Sequence, residues 1–184
     1  MCQSEGSTTS SCPCEAAGGK RLMDVCEFLR AHGIACERYD HEAVFTCEQA
    51  EGLGIPTDAA GTKNLFLRDR KGRRHFLVTV SAEKTVDLKA LEEILGARGL
   101  SFASEDRLER HLGLQAGSVT ILGVLNDRQG SVEVIVDEDL WKCTAIQCHP
   151  MVNTSTLAVS VDGIRRFLEL TGHEPRIIRI PERA

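Results

Sequence analysis

Two apolar runs, Asn64–Leu67 and Phe76–Val80, flank the polar tetrapeptide Asp69-Arg70-Lys71-Gly72 in the stretch GTKNLFLRDRKGRRHFLVTV. That pattern predicts a β-hairpin whose strands each bury one face. Upstream, Leu22, Val25, Cys26 and Leu29 recur at helical spacing and Gly33 supplies a stop. Ile34 to Tyr39 reads as a short strand, and Thr46 is placed to cap a short helix ending near Gly52 or Gly54. Gly54 to Gly61 is then a loop that delivers the chain to the hairpin.

Downstream, Asp87 caps a helix over Leu88 to Leu95, which Gly96 and Gly99 end. Ser101-Phe102-Ala103 is a brief extended piece, and Ser104 caps a second helix, Glu105 to Leu112. A small-residue loop, Gly113 to Thr120, precedes a second expected hairpin, Leu122–Leu125 with Val132–Val136. A strand at Thr144–Cys148 runs into His149-Pro150, and another follows at Thr156–Ser160. Asp162 is expected to open the last helix, Gly163 to Leu170, and Arg176–Ile180 to form a final edge strand. Hairpin-linked strands interrupted irregularly by helices define an α+β, or mixed α/β, fold rather than a repeating βαβ array. Neither a glycine-rich phosphate loop nor a nucleophile elbow occurs in the sequence.

Composition narrows this picture. At 184 residues and 42% apolar content the chain suits one domain, residues 20–184, preceded by a Cys/Ser-rich segment, residues 1–19, without periodicity and expected to be a mobile tail. The net charge of -5 excludes a generally basic nucleic-acid coat, so any such binding rests on a local patch, with Arg68–Arg74 the candidate. No apolar run approaches the roughly 18 residues of a membrane span, and no secretory signal is recognisable. The expectation is therefore a cytoplasmic protein with no membrane partner. Eight cysteines lack regular CxxC pairs, and Cys12-Pro13-Cys14 has no second ligand pair at zinc-like spacing. Reduced thiols, several of them small core residues, are expected, with no metal and no cofactor.

Three segments carry candidate chemistry. Lys63-Asn64 stands at the start of a buried strand, where an unpaired ammonium either snorkels out or meets an anion such as a phosphate. Gly117-Ser118-Val119-Thr120 has the small residues that let backbone N–H groups approach a phosphate or a polarised carbonyl. His149, held by Pro150, either orients a substrate as an acid or base, or packs on its turn and bonds backbone. Asn153 and Thr154 suit turn residues that satisfy their own backbone. The other histidines, His32, His41, His75, His111 and His173, read as surface or loop residues.

In chain order, Lys63-Asn64-Leu65-Phe66-Leu67, Leu100-Ser101-Phe102-Ala103-Ser104, Gly117-Ser118-Val119-Thr120 and His149-Pro150 with Asn153-Thr154 resemble the freestanding aminoacyl-tRNA editing domains related to the insertion domain of bacterial prolyl-tRNA synthetase. Within that family they are most similar to the stand-alone proteins that deacylate alanine mischarged on proline tRNA. The resemblance covers roughly residues 20 to 180 and implies a mixed α/β domain around a curved, mostly antiparallel sheet. It implies hydrolysis of an aminoacyl ester in trans, without metal or protein nucleophile, a ribose hydroxyl of the substrate helping to activate water. Lys63 would contact the terminal adenosine phosphate, and Asn64 would help hold that nucleotide or the aminoacyl group. The Gly117–Val119 backbone would polarise the ester carbonyl or position water. His149 would line the aminoacyl pocket, with Phe45 and Thr46 walling it. The partners implied are the acceptor end of tRNA(Pro) and, through it, prolyl-tRNA synthetase. One position departs from the pattern: family members usually have proline where this chain has Ile121, so the loop regains an N–H donor and freedom.

Two readings compete with Ala-tRNA(Pro) editing. One keeps the chemistry on another small residue, serine or cysteine. The other is a non-catalytic module that binds the tRNA end, and a redox or metal sensor built on the Cys-rich tail is more remote.

Overall fold

A computed structural model describes residues 24–43 and 57–183. The first helix, α1 (Val25–Ala31), starts where Asp24 accepts the N–H groups of Cys26 at 2.8 Å and Glu27 at 3.3 Å, which satisfies amides that have no intrahelical partner. Strand β1 (Cys36–Asp40) follows, then the hairpin β2 (Thr62–Arg68) and β3 (His75–Ser81). After it come α2 (Leu88–Leu95), the two-residue β4 (Ser101–Phe102), α3 (Glu105–Leu112) and a 3-10 helix (Ile121–Asn126). The chain continues through β5 (Val132–Asp137), α4 (Glu138–Trp141), β6 (Ala145–Cys148), β7 (Ser155–Ser160), α5 (Val161–Thr171) and β8 (Arg176–Ile178). Among the described residues no helix is long and apolar enough to cross a membrane.

The strands form two sheets, a five-stranded one in the order β4-β2-β3-β5-β8 and a three-stranded one in the order β1-β7-β6. Antiparallel pairs dominate, but β3–β5 and β5–β8 are parallel, so the larger sheet is mixed. The expected mixed α+β architecture holds, and the hairpin Asn64–Leu67/Phe76–Val80 is present, with Leu65 opposite Val78.

Three local expectations are revised. Leu122–Leu125 lies in the 3-10 helix, not a strand, and β5 pairs with β3 instead. A short apolar run has no period of its own, so only its partners decide its conformation. The last helix begins at Val161 because Ser160 Oγ accepts the Gly163 N–H at 3.0 Å; Ser160, not Asp162, is the cap. The hairpin strands also bury both faces rather than one. On one face of the five-stranded sheet Phe66, Leu77, Val134 and Val136 meet the 3-10 helix, α5 and the three-stranded sheet. On the other, Leu67, Phe76, Val78 and Ile135 meet Leu91 and Leu95 of α2. Continuous apolar sequence in β3 is what two-sided burial requires.

Cys148 sits in the first of these clusters, 2% exposed, with its thiol pushed up to about 12 by burial. Its role is that of a small apolar core residue. Cys26, Cys36 and Cys143 are likewise free thiols; the remaining four cysteines and the N-terminal tail lie outside the described residues.

His75 contradicts its expected place at the surface: it is 4% exposed, stacked on Phe66 with centroids 5.8 Å apart and lying 4.0 Å from the His111 ring. Burial first, then the neighbouring His111 and the Arg107 and Arg110 charges, push its pKa down to about 4 from 6.5, against the opposing pull of Asp69. The unfolded chain therefore takes up this proton first, and the stability that neutral His75 maintains is complete above about pH 6.5 and drains away toward pH 4. Urea titrations across that window are expected to show a loss of about 3 kcal/mol from His75, and His75→Gln should flatten the slope. Identical slopes for the two proteins would remove this account.

Candidate functional site

The two sheets are joined by a short seam. Ala60 and Ile146 form a parallel bridge, with Ala60 N–H donating to Ala145 O at 3.0 Å and Gln147 N–H to Ala60 O at 2.9 Å. Side chains add to it: Gln147 Nε2 donates to Ala59 O at 2.9 Å, and Thr62 Oγ1 to Gln147 O at 2.6 Å. Counting forward from the bridge in both strands places Thr62–Asn64 alongside Cys148–Pro150. Lys63-Asn64 thus follows directly on one strand of the seam and His149 on the other, although the two segments are far apart in sequence.

Neighbours on a strand project to opposite faces, so Lys63 and Asn64 do different things. Lys63 Nζ donates to the Ala82 carbonyl at 2.7 Å. A carbonyl leaves the charge unneutralised, and among the described residues no carboxylate lies within ion-pair distance of this ammonium. Two of its three donors stay available. On the other face, Thr79, fully buried, donates its hydroxyl to Asn64 Oδ1 at 2.8 Å. In this orientation of the amide the Nδ2 group is left as donor.

In the loop, Gly117 takes φ 86°, a left-handed value open to glycine. Ser118 is engaged locally, both its N–H and its Oγ donating to Gln115 O at 3.1 Å and 3.0 Å. Thr120 is buried and caps the 3-10 helix, its Oγ1 accepting from Leu122 N–H at 3.3 Å. Its side chain serves the fold, while the Val119 and Thr120 N–H groups meet no acceptor among the described residues. Ile121 occupies the first helical position and is fully buried. There the N–H has no intrahelical partner whatever the residue, which is why proline suits the position and isoleucine is tolerated. The freedom expected of the loop is removed by the packing of the Ile121 side chain.

His149 is the half-buried residue after β6. Its Nδ1 lies 3.2 Å from Ser155 O; a carbonyl can only accept, so Nδ1 carries the proton and Nε2 keeps its lone pair. Burial lowers the His149 pKa, the Ser155 bond opposing and the nearby His41 assisting, so the ring is neutral at pH 7. His41 is the functional-site neighbour that sequence reasoning missed. It donates from Nδ1 to Glu42 O at 2.7 Å and accepts at Nε2 from Thr156 Oγ1 at 3.0 Å. Only the pairing of β1 with β7, Asp40 opposite Ser155, brings it there. The turn beyond His149 holds Met151 at φ 64°, a strained value for a side-chain-bearing residue. Thr154 accepts the His41 N–H through its carbonyl at 3.0 Å. The side chains of Asn153 and Thr154 form no hydrogen bond with described residues, so they are not the self-bonded turn groups expected. Ser155 Oγ is buried without a partner among the described residues. Phe45 and Thr46 lie outside the described residues.

The candidate residues thus comprise an ammonium, an amide, a loop with uncommitted N–H groups and a neutral imidazole, while the Cys148 thiol is held protonated in the core. Groups of these kinds suit a phosphate and a polarised carbonyl. The family model of the aminoacyl-tRNA editing domain matches residues 41–167. The prolyl-tRNA editing protein ProX of Acetoanaerobium sticklandii is 38% identical over 141 residues, 77% of this chain and 86% of that protein. Prolyl-tRNA synthetase associated domain-containing protein 1 of Danio rerio is 38% identical over 154 residues, 83% of each chain. A crystal structure of a candidate trans-editing enzyme for prolyl tRNA synthetase superposes with a TM-score of 0.62 at 18% identity, covering 88% of this chain and 99% of that one, and shares the fold. The chain belongs to the aminoacyl-tRNA editing domain family. It is a deacylase by class, since editing an aminoacyl-tRNA means hydrolysing its ester.

Ile121→Pro is expected to lose core packing but no hydrogen bond, and so to cost no more than Ile121→Ala, about 2–5 kcal/mol. Leu122→Pro, which removes the donor that Thr120 caps, should cost more than either in thermal unfolding. The reverse order would displace Ile121 from the first helical position.

Proposed function

We propose that this chain hydrolyses alanine from mischarged tRNA(Pro) in trans. The observation that supports the reading is the seam, which joins the strand entering Lys63-Asn64 to the strand that ends before His149, with the Lys63 ammonium paired to no carboxylate among the described residues. Lys63 contacts the phosphate of the terminal adenosine, and Asn64 holds that nucleotide or the aminoacyl group. The N–H groups of the Gly117–Thr120 loop face the ester carbonyl, where negative charge builds as water adds. The neutral His149 ring, with Ser118, Asn153 and Thr154, lines the aminoacyl side.

The chemistry balances without a protein nucleophile. Water adds to the carbonyl carbon with help from the ribose hydroxyl, and the bond to the ribose oxygen breaks. That oxygen takes a proton, and the amino acid leaves as a carboxylate. Positioning and carbonyl polarisation lower the barrier. The selectivity has a physical basis as well. A site shaped for proline excludes the smaller alanine only weakly, since a missing methylene is worth about 1–3 kcal/mol. A second pocket that admits alanine and rejects proline supplies the rest. The names of the bacterial and fish relatives, both referring to prolyl-tRNA or its synthetase, support the choice of tRNA.

The decisive assay compares deacylation of Ala-, Ser-, Cys- and Pro-tRNA(Pro). Alanine should be lost rapidly and proline spared. Lys63→Ala should slow the alanine reaction by about a hundredfold, as for loss of a charge-stabilising donor, with unfolding unchanged. Preference for serine or cysteine would reassign the amino acid. Binding without turnover of any of the four would replace the hydrolase with a binding module.

A further inference from the structure

At the far end of β2 from Lys63 the hairpin tip, β4 and the start of α3 enclose an open groove of about 420 Å³. Arg68, Arg70, Lys71 and Arg107 line it, together with Phe102 and Ser104, and among the described residues no carboxylate does. In a chain of net charge -5 this concentration of cations is local. None of the four forms an ion pair among the described residues, whereas the adjacent Arg74 is taken by Glu133 at 2.6 Å. The nearest acids do not neutralise the groove. Asp69 is occupied in accepting the Arg73 and Arg74 N–H groups at 2.7 Å and 3.1 Å. Glu105 and Asp106 lie on the exposed first turn of α3, outside the lining.

Two of the guanidinium groups are held in place. Arg68 Nη1 donates to the carbonyls of Asp69 at 3.0 Å and Arg70 at 3.1 Å. Arg107 Nη1 donates to Gly72 O at 3.1 Å and lies 2.9 Å from His75 Nε2, which in the neutral ring accepts. A Cβ at Gly72 would come within 2.6 Å of Arg107 Nη2, so the glycine permits this approach as well as the turn. The side chains of Arg70 and Lys71 have no partner among the described residues and are exposed. Beside them Phe102, on an edge strand, leaves 61% of its surface to solvent.

Fixed guanidinium forks, free cations and one exposed ring in an open groove are the chemistry of a sugar-phosphate backbone carrying stackable bases. A free phosphate would use the cations and leave the ring unexplained; a membrane surface would need more apolar area than one ring. From Lys63 to Arg68, the last residue of β2, the chain advances five positions, about 17 Å at strand rise. That equals about five stacked nucleotides at 3.4 Å each. Resting on the editing reading, we infer that this groove docks the acceptor-stem backbone of the tRNA whose 3′ end enters the seam, with Phe102 against a base or ribose of that segment.

The test uses uncharged RNA, so it does not depend on turnover. Binding of an RNA hairpin ending in CCA, and of a short CCA-ended single strand, is followed by fluorescence anisotropy between 50 and 200 mM salt. The proteins are wild type, Arg70→Glu/Lys71→Glu, the milder Arg70→Ala/Lys71→Ala, and Phe102→Ala, each checked by thermal unfolding. Both double variants should bind the hairpin at least tenfold more weakly at low salt, with the log–log salt slope shallower by about two. Phe102→Ala should lose about fivefold or more with the slope unchanged, and the short strand should bind all four proteins alike. Unchanged hairpin affinity in the double variants overturns the inference, as does equal weakening of the short strand or displacement of the hairpin by millimolar inorganic phosphate. If wild type binds the hairpin through these residues yet hydrolyses no aminoacyl ester, the editing reading fails and the docking surface stands.

Discussion

The bond between Thr62 Oγ1 and the Gln147 carbonyl, with the Ala60–Ile146 bridge beside it, is the constraint on which the candidate chemistry depends. Each sheet has its own strands and its own reasons to fold. Nothing within either sheet alone would bring Lys63 and His149 together. The seam does so with few groups, most of them backbone, so its geometry is set by peptide planes rather than by flexible side chains. Gln147 reinforces it by spending its amide on Ala59 O and its main chain on Ala60 and Thr62. Each such bond contributes about 1 kcal/mol net, yet together they fix the relation between the two halves of the site.

Around the seam, polar groups divide into those committed to the fold and those left over. Thr120, Ser118, Thr79 and Thr156 use their hydroxyls internally. Lys63, the Asn64 amide nitrogen, the Val119 and Thr120 N–H groups and His149 Nε2 retain capacity. The first set holds the second in position. Preorganised donors of this kind need no reorganisation as negative charge develops beside them.

Much of the fold was legible from local signals. Asp24 and Asp87 cap their helices through their own side chains, and the hairpin announced itself through its turn. What failed to show was whatever depends on distant partners. Leu122–Leu125 is apolar on all sides and reads equally as strand or helix until its surroundings are known. His75 and His41 looked like surface residues because nothing adjacent in sequence reveals that Phe66 and His111 cover one and that β7 delivers Thr156 to the other. The motifs around Lys63-Asn64 and His149 were visible as short polar segments, whereas the seam that links their two strands was not. Thr120 illustrates the opposite case: a residue inside a motif whose side chain works as a helix cap.

The burial of β2 on both faces constrains how this molecule can vary. Leu67 belongs to one core cluster and Phe66 to the other. Inserting or deleting one residue between Lys63 and Arg68 would turn every later side chain to the wrong face and cost both cores at once. Changes of two residues preserve the alternation. The span from seam to hairpin tip therefore changes without disturbing either core in steps of about 6.6 Å, and an odd increment requires a bulge to restore the alternation.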